Sequence, residues 1–434
     1  SDLCREMEYD DSAAVEEVIC RVDDVPEGGM HEVELRGRKI LIIREKGKFS
    51  AVNGLCAHYN WPLIQGVYSN GTIRCALHGA CFNVTTGDIE DYPSFDGLNP
   101  FTVRKQGENL LISTTEKRLT SDRHTKPNWI RRLATEKPII VVGGGPAAQS
   151  LVENLRMEGC RTPIIMMTKE SVTPYDRVLL SKRMNIPAIP LRAVEFYTEN
   201  HIDVRTNAEV TSIDPSKHTV TLADQSVYEY SKVVLAVGGA VRKLRNKGTD
   251  LKGVHTLRNH FDPASITADA TGEDLVCIGA SFIGMEAACA LASEAKSVTV
   301  ICTTSEPVPA FGDEIGRSIR LYFVNKGVKI ITNARVSELR GEEGRVKEVH
   351  LVDGPIVPAR CVVAGIGVDP DTAWLANCGI DLDKRGFIKV DECFATNKAD
   401  VIAIGDCVSA PLPFFGVESI NIQHFQTAQK HGLL

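Results

Sequence analysis

The apolar and polar positions of the chain follow three patterns in turn. Between residues 15 and 115 they alternate in short runs, interrupted by turn-forming dipeptides such as Asn53-Gly54 and Asn70-Gly71. Alternation with a period of two, broken by glycine and asparagine, is typical of short strands joined by tight turns. We therefore expect a small all-β domain here, with strands at 32–35, 39–44, 72–75 and 110–113.

Residues 116–137 break this pattern. They are rich in charged side chains and nearly free of apolar periodicity. Such composition is typical of a segment that connects domains without a core of its own. We predict a linker that runs over the surface.

From Ile139 onward, short apolar runs alternate with longer amphipathic ones. Two stretches, 138–167 and 274–301, share one plan: an apolar strand, a glycine turn, a helix and a second strand. Alternation of this kind predicts parallel βαβ units. Two such units predict two doubly wound α/β (Rossmann-like) domains, each with a dinucleotide site.

The composition is that of an ordinary globular protein with several domains. At 434 residues and about 150 residues per domain, roughly three domains are expected. The net charge of −7 disfavours nucleic acid as a partner, and no apolar run approaches the roughly 18 residues of a membrane span. The 13 cysteines are scattered through the chain, which favours a reducing intracellular compartment.

Two segments each carry one cysteine and one histidine, Cys56 with His58 and Cys75 with His78. A Rieske [2Fe–2S] centre binds one iron through two thiolates and the other through two imidazoles. One Cys–His pair from each of two loops supplies that set. A Cys2His2 zinc site is the alternative, but zinc fingers usually pair like residues. The mixed pairs favour the iron–sulfur cluster.

The residues after His78 bear on the redox potential of such a cluster. Some Rieske proteins place a hydroxyl residue and a tyrosine here, and both donate hydrogen bonds to the cluster. This chain has Ala80 and Phe82 instead. Because fewer donors stabilise the reduced cluster less, we expect a potential near the low end of the Rieske range, about −150 mV.

A glycine-rich turn follows the first buried strand and predicts an FAD site. Gly143 makes the tight turn, Gly145 lets the backbone approach a pyrophosphate, and Ala148 packs the helix on the strand. The next strand ends near Glu170, which is placed for a ribose hydroxyl. Its neighbour Lys169 is the competing residue for that position.

Two further segments are candidates for FAD binding. Arg177 and Lys182 lie in a basic segment that either faces the flavin and its phosphates or is a solvated loop. Asp406 follows a late apolar strand and either faces a ribityl or phosphate group or caps a helix. Its distance along the chain from Gly143 predicts that the second nucleotide domain is inserted into a discontinuous FAD domain.

The second glycine turn predicts the nicotinamide dinucleotide site. Gly279, Ser281 and Gly284 form a G-x-S-x-x-G pattern, in which the serine replaces the middle glycine. Glu286 either reaches the nicotinamide or favours the helix N-terminus. Cys302 stands after the next strand, where NAD sites often carry an acid. With no arginine nearby either, the pattern favours NAD(H) only slightly and leaves NADP(H) open.

The cysteine positions exclude one class of two-nucleotide flavoprotein. The chain has no Cys-x-x-Cys, and no cysteine lies between Cys160 and Cys277. It therefore lacks the redox-active cysteine pair of flavin disulfide reductases. Hydride transfer from nicotinamide to flavin needs stacking and positioning rather than a catalytic acid or base.

With these motifs the chain resembles the Rieske-bearing branch of the apoptosis-inducing-factor-like oxidoreductases. That branch is related to the ferredoxin, rubredoxin and putidaredoxin reductases. The segments that carry the resemblance are 56–59, 78–83, 174–177, 279–286 and 336–341.

The resemblance implies an NAD(P)H-dependent enzyme with FAD and a [2Fe–2S] cluster, in which Lys182 and Glu286 are catalytic. It implies a small-molecule or protein electron acceptor, a mitochondrial or cytoplasmic setting and a link to cell death. The family continues into a third, mixed α/β domain, so we expect the last domain here to be truncated. The predicted divisions are a Rieske domain at 15–115, a linker at 116–137, FAD-binding parts at 138–260 and 385–434, and an NAD(P)-binding domain at 261–384.

Two other interpretations remain open at this point. Electrons could take a different route, entering the cluster from an outside donor or leaving the flavin for quinone or oxygen. Alternatively, the protein could be a redox- and nucleotide-sensing pro-apoptotic signalling module with little turnover.

Overall fold

The computed structural model describes residues 13–125, 130 and 132–433. The described residues belong to two compact units. The first comprises the described residues before 131 together with 153–160, and the larger one comprises 132–152 and 161–433. Among them, no helix is both long and apolar enough to cross a membrane.

The N-terminal unit consists of two antiparallel sheets, as the alternating pattern predicts. The larger has the strand order β1-β10-β9-β4-β3-β2 and the smaller the order β5-β6-β7-β8. The strands of both sheets are β1 (Ala14–Arg21), β2 (Met30–Leu35), β3 (Arg38–Glu45), β4 (Lys48–Asn53), β5 (Val67–Ser69), β6 (Thr72–Arg74), β7 (Cys81–Asn83), β8 (Ile89–Asp91), β9 (Pro100–Gln106) and β10 (Asn109–Thr115).

Strand β3 is buried on both faces. Because successive side chains of a strand point to opposite faces, Ile40 and Ile42 join one core while Leu41 and Ile43 join another. The second core also contains Cys56 and is where the candidate cluster ligands gather.

The predicted linker is wrong in its first part. Residues after β10 form α1 (Glu116–Thr120), whose N-cap Thr115 accepts from the backbone N–H of Arg118 at 3.3 Å. Leu119, an isolated apolar residue in a charged stretch, is buried and anchors this helix on the core. The side-chain amide of Asn99 donates a hydrogen bond to the Ser121 carbonyl at 2.8 Å. Residues 126–129 and 131 of the predicted linker lie outside the described residues.

The larger unit contains two parallel five-stranded sheets, and both predicted βαβ units are confirmed. The first sheet has the order β13-β12-β11-β17-β29 and the second the order β19-β26-β20-β21-β22. The strands of the first are β11 (Ile139–Val142), β12 (Ile164–Met167), β13 (Ile202–Arg205), β17 (Lys232–Leu235) and β29 (Val401–Ala403), and those of the second are β19 (Val254–Thr256), β20 (Asp274–Ile278), β21 (Ser297–Ile301), β22 (Lys329–Ile331) and β26 (Cys361–Ala364).

Smaller sheets and the helices complete this unit. The remaining strands are β14 (Val210–Asp214), β15 (Thr219–Leu222), β16 (Val227–Glu229), β18 (Gly239–Val241), β23 (Val336–Glu342), β24 (Arg345–Leu351), β25 (Ile356–Pro358), β27 (Val368–Pro370), β28 (Ile388–Lys389), β30 (Val408–Leu412) and β31 (Val417–Ile420). The remaining helices are α2 (Pro146–Met157), α3 (Leu179–Lys182), α4 (Val194–Glu199), α5 (Asp262–Ala270), α6 (Phe282–Ala290), α7 (Gly312–Asn325) and α8 (Phe425–His431).

The strand pairing bears on the predicted domain divisions. Strand β29 pairs with β17 in the first sheet. Along the chain, β17 comes before the strands of the second sheet and β29 comes after them. The first sheet is therefore built from two separate segments, as a discontinuous FAD domain requires. Strand β19 pairs with β26 of the second sheet. It precedes residue 261, where we predicted that the second domain begins. We therefore place that boundary before Val254, because backbone hydrogen bonds tie this strand to the second sheet.

Candidate functional site

Two loops of the N-terminal unit bring the four predicted cluster ligands together. The ring centroids of His58 and His78 lie 5.1 Å apart, and the thiols of Cys56 and Cys75 are close enough for each to shift the pKa of the other. The histidines thus form one pair and the cysteines another. This is the two-plus-two arrangement of a Rieske centre.

The two loops share one backbone geometry, which explains how a Cys–His pair is presented twice. In each, the cysteine N–H donates to the carbonyl five residues on, at 2.9 Å from Cys56 and 2.8 Å from Cys75. The cysteine carbonyl accepts from the residue four positions on, which is Asn60 in one loop and Gly79 in the other. Both of those residues have positive φ, 55° and 78°. Glycine and asparagine tolerate this conformation better than other residues.

The electrostatics of the site favour the protonation states that bind metal. Hydrogen bonding to Cys56 lowers the pKa of Cys75 to about 6, and the same bond raises the pKa of Cys56. Burial, with His78 and Arg123 adding to it, lowers the pKa of His58 to about 4. The coupling favours the thiolate form of one cysteine, and burial favours the neutral form of the His58 imidazole, as metal ligation requires.

The surroundings of the ligands are apolar on the cysteine side, while the two histidines differ, with His58 partly buried and His78 exposed. Cys56 and Cys75 are buried in the same core as Ala80 and Phe82, whereas His78 is exposed. Among the described residues, no three or more histidine, cysteine or acidic side chains converge on one metal-ion position.

Tyr59 is a neighbour of the ligands that sequence reasoning did not identify as part of the site. Its ring stacks on His58 with centroids 3.7 Å apart and meets the ring of His78 edge-on at 5.5 Å. An aromatic residue directly after the first Cys–His pair was the available signal.

The larger unit contains a cavity of about 510 Å³ beside the first glycine turn. This volume lies within the roughly 300–1,000 Å³ of ligand sites. Five of the predicted FAD residues line the cavity: Gly143, Gly145, Glu170, Arg177 and Asp406.

The turn between β11 and α2 has the geometry that a pyrophosphate site requires. Gly143 has a φ of 129°, and a Cβ there would lie 2.2 Å from the carbonyl oxygen of Ala236. A Cβ on Gly145 would meet no protein atom within 4 Å, so its side of the turn opens into the cavity. Ala148 is fully buried in α2, where its small side chain allows close helix packing.

Glu170 is the acidic residue of the cavity wall. Arg177 pairs with its Oε1 atom, and the Tyr175 hydroxyl donates to Oε2 at 2.7 Å. A carboxylate has about four acceptor positions, so it can still accept from a ribose hydroxyl. The competing residue, Lys169, pairs with Asp371 at 2.5 Å instead.

Asp406 supplies a test of whether the cavity fits FAD. It is only partly buried as a residue, but its Oδ1 atom is buried and has no hydrogen-bond partner. Burial raises the pKa of this carboxyl, while Arg258, His424 and Arg177 oppose that shift. A buried acceptor without a donor is costly. A ribityl hydroxyl in the cavity would supply that donor, and the residues therefore fit the flavin.

Among the cavity-wall residues that sequence reasoning missed are Arg258 and His424, whose charges act on Asp406. Arg258 follows β19 closely, and burial together with the charge of Arg177 lowers its pKa. His424 precedes α8, a helix from the far end of the chain. A cation at the carboxyl end of a parallel strand was a usable signal for Arg258. Local sequence offered none for His424.

The second glycine turn lies between β20 and α6. Gly279 has a φ of 101°, and a Cβ there would lie 2.4 Å from the carbonyl oxygen of Gly365. A Cβ on Gly284 would lie 1.9 Å from the carbonyl oxygen of Gly279. Both positions therefore require glycine, while Ser281 tolerates a side chain as the extended N-cap of α6.

The two predicted catalytic residues are brought together by α3 and α6. Lys182 Nζ lies 2.8 Å from Glu286 Oε1, and the Ser181 hydroxyl donates to Glu286 Oε2. Neither Lys182 nor Glu286 lines the cavity described above. This ion pair therefore links α3, where the basic segment ends, to α6, which follows the second glycine turn.

Comparisons with known proteins cover both units. A family model described as Rieske [2Fe-2S] domain matches residues 16–102, and one described as pyridine nucleotide-disulphide oxidoreductase matches residues 137–432. Apoptosis-inducing factor 3 of Homo sapiens is 38% identical over 426 residues, which cover 96% of this chain and 70% of that protein. Rubredoxin-NAD(+) reductase of Pseudomonas putida is 31% identical over 289 residues, covering 64% of this chain and 74% of that protein.

Solved structures resemble the larger unit. A ferredoxin reductase from Rhodopseudomonas palustris has a TM-score of 0.65 at 26% identity, covering 69% of this chain and 74% of that one. Together with the family matches, this likeness confirms the predicted fold class: an all-β Rieske domain followed by two Rossmann-like nucleotide domains.

Proposed function

Because the chain belongs to the pyridine nucleotide-disulphide oxidoreductases and has a Rieske [2Fe–2S] domain before that fold, we propose that it passes electrons from NAD(P)H through FAD to its own cluster. From the cluster they reach an external acceptor, either a small molecule or a protein. The protein is an NAD(P)H-dependent oxidoreductase with FAD and a [2Fe–2S] cluster. The proposal concerns the order in which electrons pass between these groups.

One observation carries this proposal: the same chain holds a two-plus-two Cys/His ligand set and a cavity whose buried acceptor, Asp406 Oδ1, needs a donor. Bound FAD exchanges one or two electrons and a [2Fe–2S] cluster only one, so FAD belongs between a hydride donor and the cluster.

The chain's own residues bind and orient these groups. The backbone at Gly143 and Gly145 holds a pyrophosphate, and Arg177 and Arg258 offset its negative charge. Asp406 accepts from the ribityl chain. These groups hold the dinucleotide in one pose, which is the main requirement for hydride transfer.

The remaining site residues act at the other groups. Glu170 accepts from the ribose of FAD, and Gly279, Gly284 and Ser281 shape the turn that receives the nicotinamide dinucleotide. Glu286 holds the ammonium group of Lys182 in place. Cys56, Cys75, His58 and His78 ligate the irons.

An anaerobic titration with NADH, followed by visible absorbance and electron paramagnetic resonance, tests the order of transfer. We expect bleaching of the flavin band together with a rhombic signal from the reduced cluster. The Cys75→Ser variant should keep the bleaching and lose the signal. Flavin bleaching with a silent but intact cluster in the unaltered protein would refute the proposal.

A second candidate is a redox- and nucleotide-sensing module in cell death with little turnover. The observation that favours it is the likeness, over 96% of this chain, to a protein named apoptosis-inducing factor 3. Slow turnover with every acceptor, combined with dinucleotide binding that changes affinity for a protein partner, would support this candidate over electron transfer.

A further inference from the structure

The end of strand β21 is where a dinucleotide-binding domain discriminates between NAD(H) and NADP(H). An acidic residue there accepts from the ribose 2′-hydroxyl and repels a 2′-phosphate. In this chain Cys302 holds that position. It is buried, and its Sγ atom lies 3.6 Å from the Thr304 carbonyl oxygen. The thiol therefore faces the protein and places no negative charge toward a ribose.

Glu306, the next acidic residue along the loop, is engaged elsewhere. Arg320 of α7 donates to its two carboxylate oxygens at 2.7 and 3.1 Å, and Arg317 Nε lies 3.4 Å away. These partners lower the pKa of Glu306, and its side chain is only 8% exposed. Its charge is thus neutralised on the side of α7.

The loop between these residues is held by its own hydrogen bonds. The carbonyls of Cys302 and Thr304 each accept a backbone N–H from the segment after β22, both at 2.9 Å. The Thr304 hydroxyl donates to the Glu306 carbonyl at 2.7 Å. These bonds fix the backbone of the loop, so the Cys302 side chain stays on its buried side and Glu306 stays beside α7.

The exposed side chains of this loop are those of Thr303 and Ser305. Both carry hydroxyl groups, which donate to a phosphate as readily as they accept from a ribose. Ser305 donates to Asp313 of α7 at 3.1 Å, so the Asp313 carboxylate lies beside this loop.

We propose that this domain does not exclude a 2′-phosphate and binds NADP(H) and NAD(H) with similar affinity, with Cys302 as the residue that determines this. The proposal rests on the proposed function, because it concerns the dinucleotide that this function consumes. The surface on which either ribose lies is then formed by the exposed residues Thr303 and Ser305, beside the buried Cys302.

To test this, the dissociation constants of NADP⁺ and NAD⁺ for the holoprotein are measured by calorimetry, and kcat/KM is measured for NADPH and NADH. Each pair of values gives one ratio between the two dinucleotides. Both ratios should lie within about tenfold of unity. The Cys302→Glu variant should weaken NADP⁺ binding on the order of 10- to 100-fold, because a carboxylate is disfavoured in the buried position of the thiol and turns to the loop surface, near the 2′-phosphate. NAD⁺ binding should be unchanged or tighter, and Cys302→Ser should leave the ratio unchanged.

A second variant guards against misfolding of the first. Thr303→Glu adds the same charge at an exposed position of the same loop, and it should shift the ratio in the same direction. The flavin content of each variant reports whether the fold is intact.

A preference of the unaltered protein for NAD⁺ above about 100-fold would overturn the inference. If Asp313→Asn then abolished that preference, discrimination would lie in α7 instead of at Cys302. Failure to bind either dinucleotide, with flavin and cluster present, would overturn the proposed function as well. The two failures are thereby distinguished.

Discussion

Asp406 gives the most direct test of the flavin site, because its Oδ1 atom is a buried acceptor without a partner at the wall of the cavity. If a ribityl hydroxyl donates to it, replacing Asp406 with alanine removes one hydrogen bond to a charged group. Such a bond contributes about 1.5–3 kcal/mol. The dissociation constant of FAD should therefore rise about 10- to 150-fold.

Replacement with asparagine should have a smaller effect. The amide keeps a neutral acceptor in place, and a neutral hydrogen bond contributes about 0.5–1.5 kcal/mol. We expect Asp406→Asn to weaken FAD binding only about 5- to 10-fold. The graded order, with alanine worse than asparagine, is what a lost charged acceptor predicts.

The assay is equilibrium binding of FAD to flavin-free protein at pH 7.5, read from the fluorescence of unbound FAD. The matched control is Asp400→Asn, since Asp400 precedes the same strand, β29, but pairs with Lys232 at 2.6 Å and does not line the cavity. The control should bind FAD normally. If Asp406→Ala bound FAD within twofold of the unaltered protein, the assignment of this carboxylate to the flavin would be refuted.

Three further predictions follow from other contacts. The imidazole Nδ1 of His431 accepts the Gly405 N–H at 3.1 Å, and Gly405 lines the cavity beside Asp406. His431→Leu should therefore raise the FAD dissociation constant about 2- to 10-fold. The His431→Gln variant keeps an acceptor and should bind FAD normally. Burial lowers the pKa of His431 to about 4, so between about 4 and about 6.5 the unfolded chain binds more protons than the folded one. Stability therefore decreases as the pH is lowered from about 6.5 to about 4. Thermal melts across this window should show a flatter decline for the glutamine variant. Glu286→Gln should slow flavin reduction by NADH about tenfold in stopped-flow experiments. Adding Lys182→Met should slow it little further, because the two residues act as a pair. If the double variant lost the product of the two single-variant effects on the rate, the pairing would be contradicted. Phe82→Tyr should raise the cluster potential by about 40 mV, as expected if one added hydrogen bond contributes about 1 kcal/mol to a one-electron couple. An unchanged midpoint in a redox titration would show that the new hydroxyl does not reach the cluster.

The local motifs of this protein could be predicted from the sequence because each depends on residues that are neighbours along the chain. The Cys–His loops close through hydrogen bonds spanning only four or five residues. The glycine turns place Gly143 and Gly279 within single βαβ units. Strand and helix periodicity was sufficient to predict both parallel sheets, because burial on one face leaves a regular apolar pattern.

The errors occurred where one residue or one long-range pairing decides the outcome. Leu119 anchors α1 on the N-terminal core, although its charged neighbours predict a linker. Strand β19 is three residues long and carries little pattern, so only its pairing with β26 shows which sheet it joins.

The sequence by itself therefore determined the cofactor classes and the turns that bind them, whereas only the tertiary structure decided which distant groups meet there. Arg258 and His424 approach Asp406 from different parts of the chain, and Lys182 meets Glu286 across 104 positions. The physical reason is that glycine conformation and hairpin hydrogen bonds are local, while burial, charge pairing and unsatisfied acceptors depend on the whole packed unit.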